Sequence, residues 1–443
     1  MEEHVLNELS KIIDPDLNND IVSLNFIKNL TINNGNVSFT IELTTPACPV
    51  KDMFKKQAEE LVSAIKGVKS VTVTMGAQAK KNAITSNDNN ENLQKITSII
   101  AISSCKGGVG KSSMAVNLAY CLKENGGKVG IFDADVYGPS LPTMIRTEQE
   151  LIMQGNNIRP IDYNGIKCMS FGYALDQSDE GPAILRGPMV TQIIGQFLTQ
   201  TAWGDLDYLI IDMPPGTGDI PITLCQLIPL TAAVIVTTPQ HISFIDVVKG
   251  IEMFDNLKVP VVGVIENMSY LEINNEKHYP FGQGALRRLI HEFGFKQTLQ
   301  LELNPAISAC ADQGTPFVEK HKDSQSTKKI KEFTNQIIQE ISIIKHSNNE
   351  LPQIGYNKKD GIIIVKDNQE HFIPPKTLRL KCQSALSRDE FTGEPLIQPN
   401  DIPDDIYPVS MNPVGNYALG INWSDGHASL FPYETILDLC KKQ

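Results

Sequence analysis

The chain has 443 residues, a formal net charge of −12 and a sequence pI near 5.2. An acidic balance of this size argues against non-specific binding to nucleic acid or anionic membrane, and no apolar run approaches the roughly 18–20 residues of a membrane span. Hydrophobic residues make up 41% and charged residues 20%, an ordinary globular composition with room for about two to four domains.

The N-terminus, Met1-Glu2-Glu3-His4, is acidic and has no apolar core, so it resembles neither a secretory signal nor an Arg-rich transit segment. A cytoplasmic protein is expected, or an organellar one whose transit segment has been trimmed. Residues 1–80 read as a small α/β domain. A helix pattern over Glu3–Ile13 is followed by the turn Asp14-Pro15-Asp16, and Val37–Leu43 alternates apolar and polar like a half-buried strand. An amphipathic helix is expected from about Lys51 to Ile65 and another strand at Val71–Met75. Cys48, between Pro46 and Pro49, falls just ahead of that helix, where the helix dipole favours thiolate. Residues 81–95 are rich in Asn, Asp, Ser and Glu and read as a linker.

Residues 96–345 alternate strand and helix patterns, which implies a parallel sheet covered on both faces. The expected strands are Thr97–Ser103, Lys128–Phe132, Ile166–Phe171, Tyr208–Ile211, Ala232–Thr237 and Val261–Glu266. Ligands on such sheets bind at the carboxyl ends of the strands. The first strand runs into Ser104-Cys105-Lys106-Gly107-Gly108-Val109-Gly110-Lys111-Ser112-Ser113, a glycine-rich turn that opens a helix. Such a turn aims backbone N–H groups at phosphate, Lys111 can reach the β- and γ-phosphates, and Ser112 can bind Mg²⁺. Cys105 stands where the strict P-loop pattern has Gly, and Lys106 is an additional lysine. The second strand ends in Asp133-Ala134-Asp135, whose carboxylates can both face the phosphates. The fourth ends in Asp212, a Walker B pattern that supports Mg²⁺, followed by Pro214-Pro215-Gly216-Thr217-Gly218, a candidate switch loop. ATP with Mg²⁺ is therefore the expected ligand.

Eight cysteines are dispersed along the chain and none forms a CxxC pair, so a self-contained zinc-finger or ferredoxin-type site is not expected. Cys121, Cys168 and Cys225 read as core, and Cys105 as a small residue in a tight turn. Cys310 reads either as buried filler or as a ligand. Residues 346–360 read as a second linker. Residues 361–443 read as a small β-rich domain with strand patterns at Gly361–Lys366, His371–Phe372, Thr377–Leu380 and Ala418–Trp423, and a final short helix at Tyr433–Leu439. His427, on an Asp-Gly turn, reads as solvated or, with Cys382, as a candidate ligand.

The segments around Lys106–Ser112, Asp133–Ser140 and Asp212–Asp219 resemble those of the Mrp/ApbC ATPases. These are iron–sulfur cluster carriers of the deviant-Walker-A class, related to the MinD and ParA ATPases. Thr45-Pro46-Ala47-Cys48-Pro49 resembles the reactive-cysteine motif of an iron–sulfur-assembly domain often fused in front of them. Residues 361–443 resemble a C-terminal domain of unknown function, and the three-part order is similar to the high-chlorophyll-fluorescence type. The resemblance implies an α/β, doubly wound P-loop NTPase flanked by the two small domains, and an ATP-hydrolysing homodimer that delivers [4Fe–4S] clusters from donors to apoprotein clients, without nucleic acid or membrane.

It further implies that Lys106 reaches the partner's nucleotide, Asp135 positions the attacking water, Asp133 supports the Mg²⁺ shell or the switch, and Asn267 contacts adenine. Bacterial members usually carry a CxxC after the Glu-Asn-Met segment. Here Ser269–His278 contains no cysteine, which leaves Cys48, Cys310 and Cys382 as candidate cluster ligands. Two other readings are open at this stage. One is an ATP-regulated adaptor or redox protein that uses Cys48. The other is a MinD/ParA-like positioning switch, which would need a membrane-binding tail or a basic face; Leu430–Gln443 is short and mixed.

Overall fold

In the computed structural model, the described residues are 1–15, 19–43, 51–77, 91–175, 187–346, 352–366, 369–382, 384, 387–388, 394–414 and 418–440. Cys48 and residues 81–90 of the expected linker lie outside them, while Glu91–Gln94 of that linker form a short helix.

The organising element is an eight-stranded sheet. Its strands, in chain order, are β1 (Ile96–Ser103), β2 (Val129–Asp133), β3 (Ile161–Tyr163), β4 (Ile166–Ser170), β5 (Leu206–Asp212), β6 (Ala232–Thr237), β7 (Val261–Glu266) and β8 (Thr298–Gln300). Their spatial order is β3-β4-β2-β5-β1-β6-β7-β8, parallel throughout except for the edge pair β3–β4. The strands are apolar on both faces because both faces are covered. Ile100 and Ile102 enter one core with helix α1 (Lys111–Glu124), while Ile99 and Ala101 enter the other with helices α2 (His241–Asn256) and α3 (Ala285–Phe293). Helix α4 (Gln325–His346) closes the first face through Ile330, Phe333, Ile337 and Ile341. No helix among the described residues is long and apolar enough to cross a membrane.

The expected strands appear within one or two residues, but β3 and β8 were not foreseen. Each is a three-residue edge strand, too short to show a period. The N-terminal segment folds around its own core as strands Ile27–Asn33, Asn36–Leu43 and Ser70–Ala77 with helix Lys51–Ser63 between the last two. The C-terminal segment has two three-stranded antiparallel sheets around Ile362, Ile364, Trp423 and Phe431. Two expectations change there. Thr377–Leu380 is not a strand: Pro375–Arg379 is a helix, because Pro375 presets its first turn. Gln353–Asn357, placed in the second linker, pairs with Gly361–Lys366 as a strand.

Near the end of α4, Lys345 is largely buried and donates to the Thr97 carbonyl and, at 2.8 Å, to Ser98 Oγ. Burial pushes its ammonium down to about 8 from the ordinary 10.5. Between these two values the unfolded chain holds the proton and the folded chain has lost it, so this group's contribution to stability rises with pH. Relative to Lys345→Met, the wild-type protein should gain on the order of 2 kcal/mol between pH 8 and 10.5, read by urea unfolding. A difference that stays flat across that window would refute the burial argument.

Candidate nucleotide site

The site is built at the carboxyl ends of β1, β2 and β5. After β1 the chain turns through Ser104, whose Oγ donates to the Lys106 carbonyl at 2.8 Å and whose own carbonyl accepts from Gly216 N at 2.8 Å. That second bond stitches the loop after β5 to the turn before α1. Gly110, the residue that caps α1, has a left-handed φ of 87°. A Cβ there would also lie 2.3 Å from Asn267 Nδ2, so both conformation and space require glycine. No side chain caps the N-terminus of α1, and a Cβ on Gly107 or Gly108 would meet nothing within 4 Å. The cradle is therefore open backbone at a helix N-terminus, the surroundings a phosphate requires.

Lys111 is only 7% exposed and its ammonium is paired with Asp212; Ser112 Oγ lies 3.3 Å from the same nitrogen. Asp212 and Asp133 are register partners on adjacent parallel strands, so their carboxylates emerge side by side. Burial first, then the neighbouring Asp212, pushes Asp133 up to about 7. Burial also raises Asp212, against the opposing pull of Lys111 and Ser112.

The Asp133 carboxylate is fully engaged. Oδ1 accepts from Asp135 N at 3.0 Å, and Oδ2 accepts from Ser140 N, Leu141 N and Ser170 Oγ at 3.0–3.1 Å. This geometry folds the loop 134–140 back onto the strand end. Asp135 is partly exposed beside the site, with Oδ1 accepting from Gly138 N at 3.1 Å, and Tyr137 at the loop's crest is 61% exposed.

Lys106 lies in cis against α2, 3.4 Å from Asp246 Oδ2 and 3.5 Å from Ser243 Oγ. Asn267 spends its amide on the P-loop, donating from Nδ2 to the Val109 carbonyl at 2.9 Å. Beside it Glu266 is buried at the end of β7. Its carboxylate accepts from Ser269 Oγ at 2.6 Å, Gln300 Nε2 at 3.0 Å and Leu286 N at 3.1 Å. Sequence reasoning missed Ser243, Asp246 and Glu266. Only Glu266 carried a signal, as a charge ending an otherwise apolar, doubly covered strand.

Among the described residues the thiols do not gather. Cys310, in helix Pro305–Asp312, is 1% exposed in the core on the α1 face of the eight-stranded sheet. Cys382 is 1% exposed in the separate C-terminal core. Cys105 is half-buried with its sulfur against Gly250 of α2, and burial raises its thiol to about 11. Cys121, Cys168 and Cys225 are buried. Of the two readings of His427, the solvated one does not hold: the ring is half-buried, its Nε2 3.4 Å from Cys382 Sγ and 3.1 Å from Ser384 Oγ. Among the described residues no three His, Cys, Asp or Glu side chains form a metal-binding group. A cavity of about 1090 Å³ is lined by amides such as Asn92, Gln192 and Gln196, beside the segment that leads into β1 and so at the end of that strand away from the phosphate cradle.

Residues 95–338 match the family described as NUBPL iron-transfer P-loop NTPase. Residues 2–75 match the iron-sulfur cluster assembly protein family, and residues 356–437 the gamma-butyrobetaine hydroxylase-like N-terminal family. The chloroplastic Fe-S cluster assembly factor HCF101 of Oryza sativa subsp. japonica is 48% identical over 443 residues, covering 98% of this chain and 82% of the relative. An iron-sulfur cluster carrier protein of Synechocystis is 40% identical over 347 residues, covering 76% of this chain and 97% of the relative. The solved structure of a nucleotide-binding protein from Archaeoglobus fulgidus in complex with ADP is 37% identical, covers 51% of this chain and 90% of that chain, and superposes with a TM-score of 0.46. A phosphate cradle closed by Lys111 and Asp212, inside a segment that spans more than half the chain and matches one NTPase family, leads to a single assignment: the chain belongs to the NUBPL iron-transfer P-loop NTPase family.

Proposed function

We propose that this protein is an ATP-hydrolysing carrier that takes [4Fe–4S] clusters from a donor protein and passes them to apoprotein clients, working as a homodimer. The observation that carries this reading is the buried Lys111–Asp212 pair at an open helix N-terminus. In the resting protein each charge neutralises the other. A triphosphate would take over Lys111, leaving Asp212 and Ser112 as the residues that would hold Mg²⁺, which would supply positive charge to the phosphates. Asp135 orients the attacking water from the loop that Asp133 folds. Lys106 leaves Asp246 and contacts the partner's phosphates, so hydrolysis follows dimer closure. The names of the rice and Synechocystis relatives support the cargo.

Cys310 and Cys382 sit in two different cores, each almost fully covered, so joint ligation would require both cores to open. We therefore assign cluster handling to Cys48. Anaerobic reconstitution with iron and sulfide counts and visible absorption tests this. Cys48→Ala should lose most of the bound iron, because thiolates hold such clusters, while Cys310→Ala and Cys382→Ala keep theirs. A wild-type protein that holds no iron and transfers none would sink the carrier reading.

A further inference from the structure

We infer that the C-terminal domain regulates the nucleotide site from within the same chain, acting through helix α3. The domain is laid directly on this helix. Val414 and Leu430 pack against the ATPase core that contains Leu286, Leu289 and Phe293. Leu430 alternates with Ser429 and Phe431, which are buried on the domain's own side, so its side chain serves the contact between the domains. Gly294 ends α3 with φ 73°, and a Cβ there would lie 2.6 Å from Pro432 Cβ. Lys296 pairs with Glu434 at the rim.

From α3, two connections lead to the phosphate loop. At the helix start, Leu286 N donates to the buried Glu266 at 3.1 Å. The next residue, Asn267, holds the Val109 carbonyl at 2.9 Å. On the helix flank, the Arg288 guanidinium lies 4.0 Å from the centre of the Phe244 ring and 3.4 Å from His241 Nδ1. Phe244 adjoins Ser243, and both belong to the segment of α2 that holds Lys106. One helix thus braces the P-loop on one side and the resting position of Lys106 on the other, and the C-terminal domain fixes that helix. A docked domain preorganises the cradle, and a released one loosens it. This inference needs nucleotide binding only, so it survives if cluster carriage fails.

The test uses the full chain carrying Val414→Asp and Leu430→Asp, which puts charge at both apolar contacts, and independently Gly294→Val, which drives a side chain into Pro432 from the ATPase side. Titration with a fluorescent ATP analogue should show affinity weakened at least ~5-fold in both, the lower end of ordinary coupling between sites. Near-ultraviolet circular dichroism from the two tryptophans, Trp203 in the ATPase core and Trp423 in the C-terminal core, reports that both cores remain folded. In a Glu266→Gln background the same substitutions should cost less than they do alone, because one of the two connections is already cut. Unchanged affinity in both variants overturns the inference, as does a loss that is fully additive with Glu266→Gln.

Discussion

Lys111→Met should lower ATP turnover by at least ~10²-fold, since it removes a preorganised positive charge at the phosphates from a largely buried site. The same substitution has a second, less obvious consequence. It leaves Asp212 buried without its counter-charge, and breaking a buried pair from one side costs about 3–5 kcal/mol. The apo protein should therefore lose stability as well as activity. Adding Asp212→Asn removes the orphaned charge. The double variant should then unfold at a higher temperature than Lys111→Met alone, while remaining inactive. Phosphate release and thermal unfolding separate the two effects. Turnover within tenfold of wild type in Lys111→Met would contradict the placement of this lysine. Stability losses that simply add across the two sites would contradict the pairing.

The fold was legible where chemistry is local. Runs such as Ile99–Ile102 and Ala232–Val236 can only be strands covered on both sides, and a glycine-rich turn between such a strand and a helix announces a phosphate site. The register that sets Asp133 beside Asp212 follows from strand order, which no single stretch encodes. The resemblance gives Asp133 to the Mg²⁺ shell or the switch. In the structure its oxygens are taken by Asp135, Ser140, Leu141 and Ser170, because a strand end needs something to fold the next loop.

The resemblance gives Asn267 to adenine, and its Nδ2 also braces Val109, a contact made across 158 residues. His427 read as solvated because a turn residue has no periodicity to betray its partner. Cys382 lies 45 residues away, brought alongside by the helix at Pro375–Arg379 that sequence patterning took for a strand. What escaped the sequence in each case is a tertiary contact between short, unpatterned segments.

Lys106 shows how far such a contact changes a functional argument. The family resemblance gives this lysine a role in trans, yet it rests in cis against Asp246 and Ser243 of helix α2. Both statements hold if the cis pair is a resting position, and their energies can be compared. The Lys106–Asp246 pair is 3.4 Å long with side chains 30% and 27% exposed, so it contributes no more than about 1 kcal/mol and weakens with salt. A transition-state cation supplied by a partner is worth about 10³–10⁵ in rate. The cis pair can therefore delay the trans contact but cannot forbid it.

Lys106→Ala should lower turnover by at least ~10²-fold with nucleotide affinity nearly intact. Asp246→Asn should raise turnover by at most ~5-fold, most visibly at low salt and low protein concentration. Mixing gives the decisive readout. Lys106→Ala and Asp135→Asn are each inactive alone, but a mixed dimer rebuilds one complete site, with Asp135 from the first copy and Lys106 from the second. Recovery of up to about a quarter of wild-type turnover on mixing is expected from random pairing of copies, half of them mixed with one competent site each. Full activity of Lys106→Ala alone would remove the lysine from the chemistry, and a mixture as inactive as its components would confine its action to its own subunit.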